Sequence, residues 1–215
     1  FMKIYKFLIV FAEQKFFCEF IYHETDEEKD LLKKLKNKIK KKDGICELSI
    51  LLISLYKPLN KSNFLSKKLV SYISKSNEFN EFLKYVFHDP NKDKEVSVSL
   101  KSLSNFSNET SKLIKSQYEE NPYPRWRYTL RPMAGIDINE VTKKFSQTIF
   151  KEPKILIAGC GTGQQVLTWS SYKNSQIHAV DLSRESLAYA IRKATERKIK
   201  NVNFYHLDLL DLELL

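Results

Sequence analysis

The amino-acid sequence predicts an α/β protein in which an all-helical module precedes a domain built on a parallel sheet. Apolar residues among the first ninety positions recur at helical spacing and are interrupted by polar turns. From position 154 onward, short apolar runs alternate with helical segments, a pattern typical of parallel strands joined by helices. We therefore expect a helical module over residues 1–89, a linker with a short helix over 90–116, and the sheet domain over 117–215.

Within the helical module, each predicted helix has a recognisable boundary. Residues 1–23 are apolar around much of a helix, which predicts a buried helix. Thr25 and Glu28 form a capping box before a highly charged helix, which we expect to end at Asp43–Gly44. Further helices are predicted over residues 45–56, 62–75 and 77–88.

The next segments show weaker patterns. Residues 90–108 are rich in Ser, Lys and Asn and have no helical stripe, which predicts an irregular linker. Asn108 or Thr110 should cap a short helix that runs to about Glu120. Residues 137–150 fit an amphipathic helix whose apolar face consists of Ile138, Val141, Phe145 and Ile149.

Glycine is scarce, with 5 in 215 residues, and three of the five stand at positions 159, 161 and 163. They follow an apolar run, residues 155–158, and precede a predicted helix over residues 164–169. Glycines let a ligand approach the backbone, and amide groups at a helix start point outward. Strand, glycine turn and helix together predict a nucleotide-binding unit.

The glycine spacing separates two classes of ligand. A dinucleotide fingerprint, G-x-G-x-x-G, would place its third glycine at position 164, where this chain has Gln164. The observed G-x-G-x-G resembles the cofactor loop of class I S-adenosylmethionine-dependent methyltransferases. Two later elements match in order, because one strand-like run ends at Asp181 and another leads into Asp208. The resemblance implies a Rossmann-like methyltransferase domain that binds S-adenosyl-L-methionine.

The resemblance also implies roles for individual residues. The loop backbone would hold the methionine and ribose portion of the cofactor; the loop consists of Gly159, Cys160, Gly161, Thr162 and Gly163. Asp181 should accept the ribose hydroxyls with Leu182 beside it, and Asp208 with Leu209 should contact the adenine. Tyr118 would cover the methionine end.

The chain departs from the family pattern in two places, which limits the residue roles that the resemblance implies. Many family members have an acid two positions before the first glycine, where this chain has Ile157, so no contact to the amino end is assigned there. The residues that choose the methyl acceptor usually follow a fourth strand, and this chain stops after the third cofactor element. We therefore expect a fragment with an unidentified protein or small-molecule acceptor, and no catalytic residue is assigned. His178 and His206 lie in strand-like runs and are expected as core or edge residues rather than as bases.

Residues 117–126, QYEENPYPRW, concentrate aromatic and basic side chains in a loop stiffened by proline. The segment resembles the one before the methyltransferase domain in bacterial proteins that join tetratricopeptide repeats to such a domain. Such repeats would lie before Phe1 and could bind a protein partner. The loop is either a lid over the cofactor or a structural anchor on the sheet. The density of Tyr, Arg and Trp favours the lid, with Arg125 and Trp126 near the acceptor.

The charge, the cysteines and the early apolar run indicate which partners, metal sites and cellular compartments to expect. The net charge of +10 suggests a nucleic-acid partner. However, most of the basic residues are lysines, which are common on solvated helix faces, and arginines are few, so a nucleic-acid partner is not expected. Three widely separated cysteines form no metal-ligand pair, and a reduced, cytoplasmic protein is expected with no metal site. The early apolar run at residues 7–12 is too short to direct export or to span a membrane. A solvated face is also expected for four basic residues near the chain's end, Arg192, Lys193, Arg197 and Lys198.

Two alternative functions stay open. One is another nucleotide-binding enzyme, such as an NAD(P)-dependent reductase, against which Gln164 argues. The other is a non-catalytic interaction protein whose helical module binds a partner.

Overall fold

The structure is a computed structural model that describes residues 2–41, 45–120, 122–128 and 135–215. The chain divides into two compact units, Phe1–Lys92 and Asp93–Leu215. The first is helical and the second contains a parallel sheet, so the predicted α/β class is confirmed. The exact residue limits expected for the domains stay a prediction.

Helices make up the described part of the first unit: α1 (Met2–Phe17), α2 (Asp26–Lys40), α3 (Glu47–Ser54), α4 (Asn63–Leu69) and α5 (Asn77–Leu83). Short 3-10 and π-helical turns lie at Leu59–Lys61 and Lys84–His88. The core is apolar and includes the fully buried Ile50, Leu51, Phe79, Phe82 and Phe87. α3 and α4 are shorter than predicted.

The predictions for α1 and α2 are confirmed only in part. The capping box is confirmed, since Thr25 Oγ1 accepts from the Glu28 N–H and the Glu28 carboxylate accepts from the Thr25 N–H. The expected end at Asp43–Gly44 lies outside the described residues. The prediction of a buried first helix is wrong in part, because α1 buries Ile9, Ala12 and Phe16 but exposes its opposite side. That exposed side includes Ile4, Phe7 and Val10.

A helix, α6 (Asp89–Ser99), occupies the first part of the irregular linker that the composition predicted over residues 90–108, whereas residues 100–108 are not helical. Its buried positions within the second unit are polar: Asp93 and Ser97 lie one turn apart and bond to Arg192 and Glu185 of helix α10 (Arg184–Glu196) in the same unit. A polar docking face has no apolar stripe, and for that reason the sequence pattern gave no helical signal.

Of the predictions for the next two helices, one is confirmed and the other is wrong. α7 (Glu109–Glu120) is capped as predicted, with Asn108 Oδ1 accepting from the Ser111 N–H. α8 (Ile138–Thr142) has only five residues, so the amphipathic helix predicted over residues 137–150 is wrong. The Asn139 side chain bonds to both backbone groups of Phe150 and closes the chain into a loop, which leaves Phe145 and Ile149 exposed.

The sheet of the second unit has three parallel strands in the order β1 (Lys154–Ala158), β2 (Gln176–Asp181) and β3 (Val202–His206). The helix α9 (Gln164–Trp169) connects β1 to β2, and α10 connects β2 to β3. β2 is the most deeply buried strand, with Ile177, Ala179 and Val180 inside. β1 is less buried than predicted, because Leu156 is half exposed. The strands run in one direction, so their carboxyl ends share one edge, where parallel sheets bind ligands.

No helix in the described part of the chain is both long and apolar enough to cross a membrane.

Candidate cofactor site

A cavity of about 430 Å³ opens beyond the carboxyl ends of β1 and β2. Its volume lies within the range of small-molecule sites. The glycine loop forms one wall, and the start of α10 and the end of α7 form others. The lining residues are Ile114, Tyr118, Tyr123, Pro124, Gly159, Cys160, Gly161, Thr162, Gln164, Gln165, Asp181, Leu182 and Ser186. Seven of the ten residues predicted to bind the cofactor are in this set.

The glycines of the loop serve two different purposes. All three have left-handed backbone angles, with φ of 67° at Gly159, 51° at Gly161 and 81° at Gly163. A Cβ added at Gly159 or Gly161 would meet nothing within 4 Å, so these two border open space. A Cβ at Gly163 would lie 2.6 Å from the Cβ of Ala190. Gly163 therefore lets the loop pack against α10, whereas the first two glycines leave the backbone accessible.

Asp181 joins the two turns that border the cavity. Its Oδ2 accepts a hydrogen bond from the Gly161 N–H at 2.7 Å, and its Oδ1 accepts one from the Ser183 N–H at 2.8 Å. Burial raises the pKa of this carboxyl, while the backbone hydrogen bonds oppose the rise. Each carboxylate oxygen has a second lone pair, so Asp181 can accept further hydrogen bonds from a ligand in the cavity.

Cys160 contributes a buried thiol to the loop. Burial and, to a smaller extent, the neighbouring Asp181 charge raise the pKa of this thiol well above its usual range. A protonated, buried thiol is a weak nucleophile, so Cys160 fits as a small wall residue.

Residues 122–126, which we call the strap, are part of both the cavity and the core. Tyr123 and Pro124 line the cavity, and the peptide bond between them is cis. Trp126 is only 7% exposed, and its Nε1–H donates to the Thr162 carbonyl at 3.1 Å. The expectation that Trp126 belongs to a lid near the acceptor is therefore wrong, because its indole is anchored beneath the glycine loop. Tyr118 does line the cavity, and the contact expected between it and the methionine end of a cofactor stays a prediction.

Asp208, Leu209 and Gly163 are the predicted site residues that do not line the cavity. Asp208 is buried, its N–H donates to Ser104 Oγ at 2.9 Å, and its Oδ1 accepts from the Leu210 N–H. It thus caps the 3-10 helix Leu209–Leu214. The adenine contact expected of Asp208 and Leu209 stays a prediction.

His206 has a structural environment. Its Nδ1 accepts from Arg184 Nε at 3.3 Å, so Nε2–H is the donor to the Leu182 carbonyl at 3.0 Å. The ring also packs on Phe106, with centroids 4.8 Å apart. Burial lowers the pKa of His206 to about 4, so the imidazole is neutral at physiological pH.

The predicted solvated basic face is wrong for Arg192 and Lys193, whereas Arg197 and Lys198 are exposed as predicted. Arg192 pairs with Asp93, and Lys193 lies with its Nζ 5.3 Å from the centroid of the Trp126 ring. The Arg197 guanidinium lies 5.5 Å from the same ring. Tyr189 precedes Arg192, Lys193 and Arg197 by three to eight positions, so an aromatic residue close to basic ones in the sequence is the signal that indicates this packing.

Comparisons with known proteins bear on the second unit. Residues 155–215 match a family model described as a methyltransferase domain. The uncharacterised protein RP028 of Rickettsia prowazekii (strain Madrid E) is 33% identical over an alignment of 107 residues that covers 47% of this chain and 41% of that protein. The chain thus matches less than half the length of this relative.

The crystal structure of coclaurine N-methyltransferase bound to N-methylheliamine and SAH is a weak structural match to this chain. The alignment covers 95% of this chain and 46% of that chain, at 13% identity and a TM-score of 0.26, which is too low to establish a shared fold. The family model, in contrast, takes in the glycine loop, Asp181 and Asp208. The part of the chain that forms two walls of the cavity is therefore similar to a methyltransferase domain.

Proposed function

We propose that this chain supplies the S-adenosyl-L-methionine-binding part of a class I methyltransferase that acts on a protein or small-molecule acceptor. The observation that carries the proposal is the arrangement around the cavity. Two glycines border open space at the end of β1, and the carboxylate of Asp181 stands at the end of β2, bonded to the same loop.

The residues present suit this cofactor. Gly159 and Gly161 would admit it close to the backbone. Asp181 has acceptor positions left for a pair of ribose hydroxyls. Tyr118 and Tyr123 are 40% and 60% exposed, and aromatic faces attract cations such as a sulfonium. When bound, the cofactor supplies a methyl group activated by its positively charged sulfur.

The charge of the cavity favours this ligand over a dinucleotide. Among the described residues that line it, Asp181 alone carries a formal charge, so the lining offers no lysine or arginine to a pyrophosphate. Gln164, at the position of the fingerprint's third glycine, is exposed at the start of α9. Both features argue against an NAD(P)-dependent reductase.

Three further parts of the proposal concern the complete protein. We propose that Asp208 and Leu209 contact the adenine, which requires a rearrangement at the end of β3. Repeats upstream of this chain would bind a protein partner. A reduced, cytoplasmic setting would suit the free thiols of Cys18, Cys46 and Cys160.

Calorimetric titration of the complete protein with S-adenosylhomocysteine and with NAD⁺ tests the ligand class. We expect S-adenosylhomocysteine to bind more tightly by at least about tenfold, a difference of about 1.4 kcal/mol. Tighter binding of NAD⁺ would overturn the proposal.

A further inference from the structure

Thr162 connects the strap to the glycine loop through two hydrogen bonds. Its Oγ1–H donates to the Pro124 carbonyl at 2.6 Å, and its own carbonyl accepts from Trp126 Nε1–H at 3.1 Å. Thr162 is 2% exposed and lies between two glycines with left-handed backbone angles. Glycine flanks leave a loop with a large conformational entropy, so a restraint on the residue between them restricts the loop.

The strap is anchored at its other end on α10. The Tyr189 hydroxyl accepts from the Trp126 N–H at 3.0 Å and donates to the Trp126 carbonyl. The two rings meet edge to face with centroids 5.9 Å apart. Burial raises the pKa of Tyr189 to about 12, so its hydroxyl keeps the proton that it donates. Tyr189 lies within a helix of 13 residues, which makes a firmer support than another loop would.

The same bonds also fix part of the cavity wall. Tyr123 and Pro124 line the cavity, and Pro124 carries the carbonyl that Thr162 holds. Loop and strap therefore face the same ligand volume from two sides, and each restrains the other.

We propose that Thr162, Trp126 and Tyr189 are positioning residues that hold the glycine loop in its ligand-binding shape and so set the affinity of the cavity. This inference rests on the proposed function. Its physical basis is preorganisation: a loop that is already ordered loses less conformational entropy when a ligand binds. The hydroxyl of Thr162 is the group that transmits the strap's position to the loop.

A pair of substitutions at Thr162 isolates that hydroxyl. Thr162→Val keeps the β-branched shape and removes the donor, whereas Thr162→Ser keeps the donor. In the complete protein, we expect Thr162→Val to weaken S-adenosylhomocysteine binding by about five- to tenfold, the effect of one hydrogen bond. Thr162→Ser should bind S-adenosylhomocysteine with an affinity within about twofold of that of the wild type. The control Thr168→Val changes an exposed threonine on α9 outside the cavity and should leave affinity unchanged.

Tyr189→Phe provides a second test if Thr162→Val does not fold. It keeps the ring and removes the hydroxyl that holds Trp126, so the same direction of change is expected. Unchanged affinity in a folded Thr162→Val variant, or in Tyr189→Phe where the former does not fold, would overturn the inference. The inference would also be overturned if Thr162→Ser bound S-adenosylhomocysteine as weakly as Thr162→Val does.

The wild-type titration separates this inference from the proposed function. A wild type that does not bind S-adenosylhomocysteine contradicts the proposed function. Limited proteolysis at Arg125 and Arg127 then tests the strap without a ligand. Faster cleavage in Thr162→Val than in Thr162→Ser would support the restraint, and equal rates would overturn it.

Discussion

Asp181 and Gly161 are joined by a hydrogen bond of 2.7 Å between the second strand's terminal carboxylate and the glycine loop that follows the first strand. The same carboxylate accepts a hydrogen bond from the N–H of Ser183, which is the N-cap residue of α10. One side chain therefore links both turns that border the cavity. Asp181 is thus expected to shape the loop as well as to contact a ligand.

Substitution of Asp181 should weaken binding more than its ligand contacts alone would imply. A charged hydrogen-bond acceptor is worth about 1.5–3 kcal/mol, so Asp181→Ala should weaken S-adenosylhomocysteine binding by at least about tenfold. Asp181→Asn keeps one carbonyl oxygen and should show a smaller loss. The control is Asp211→Asn, in the 3-10 helix outside the cavity lining. Unchanged calorimetric affinity in Asp181→Ala would mean that the ribose is assigned to the wrong residue.

Two glycine substitutions should separate packing from ligand access. Gly163→Ala brings a Cβ to 2.6 Å from the Ala190 Cβ in addition to its backbone strain. Overpacking typically costs about 1–3 kcal/mol, so this variant should be clearly less stable than Gly161→Ala in chemical denaturation. Gly161→Ala has only the left-handed strain of about 1–2 kcal/mol and places its methyl group at the cavity. Equal stability of the two variants would contradict the packing role of Gly163.

The buried His206 should make the stability of the fold depend on pH. Its pKa in the folded protein is about 4, below the ordinary value of about 6.5, because burial disfavours the charged ring. The unfolded chain therefore takes up a proton first as the pH falls. This destabilises the fold progressively between about pH 6.5 and pH 4, by up to about 3 kcal/mol, and has no effect at neutral pH.

Denaturant unfolding at pH 7 and pH 5 checks this pH dependence, with the fluorescence of Trp126 and Trp169 as the signal. His206→Gln should lose less stability between the two pH values than the wild type does. His178→Gln is the matched control, because His178 lies on a neighbouring strand and stacks on Tyr205. A wild type and a His206→Gln variant with equal pH dependence would contradict the prediction.

The sequence was sufficient to predict the elements whose signals are local. The three strands, the glycine turn and the caps at Thr25 and Asn108 depend on residues close together in the chain. The methyltransferase resemblance assigned Asp181 and the glycine loop to one site, and the two lie together because parallel strands end at one edge of a sheet.

The features that were missed depend on partners far away in the chain. Lys193 has the sequence spacing of a solvated residue on an amphipathic helix, but it is buried because the distant Trp126 packs against it. Similarly, the apolar spacing of residues 137–150 suggested a helix, whereas the Asn139–Phe150 hydrogen bonds favour a closed loop. Local patterns contain no information about such partners.

The ion pair between Arg192 and Asp93 gives the last prediction. Arg192 Nε lies 2.6 Å from Asp93 Oδ1, and Nη2 lies 3.1 Å from Oδ2, so the guanidinium holds both carboxylate oxygens. The two side chains are only 9% and 7% exposed. Removal of one member of a buried pair leaves the other charge uncompensated, at a cost of about 3–5 kcal/mol. Arg192→Ala should therefore destabilise the second unit strongly.

Denaturant unfolding measures the cost, again with the two tryptophans as the signal. Lys200→Ala, at an exposed position just after α10, removes the same charge and should change stability by less than about 0.5 kcal/mol. Glu196 is a second, more exposed partner of Arg192, and its loss in Glu196→Ala should cost less than about 1 kcal/mol. In the double variant Asp93→Ala with Arg192→Ala, neither charge is left alone, so its loss should be clearly smaller than the sum of the single losses. Additive losses would mean that α6 is held on α10 by something other than this pair.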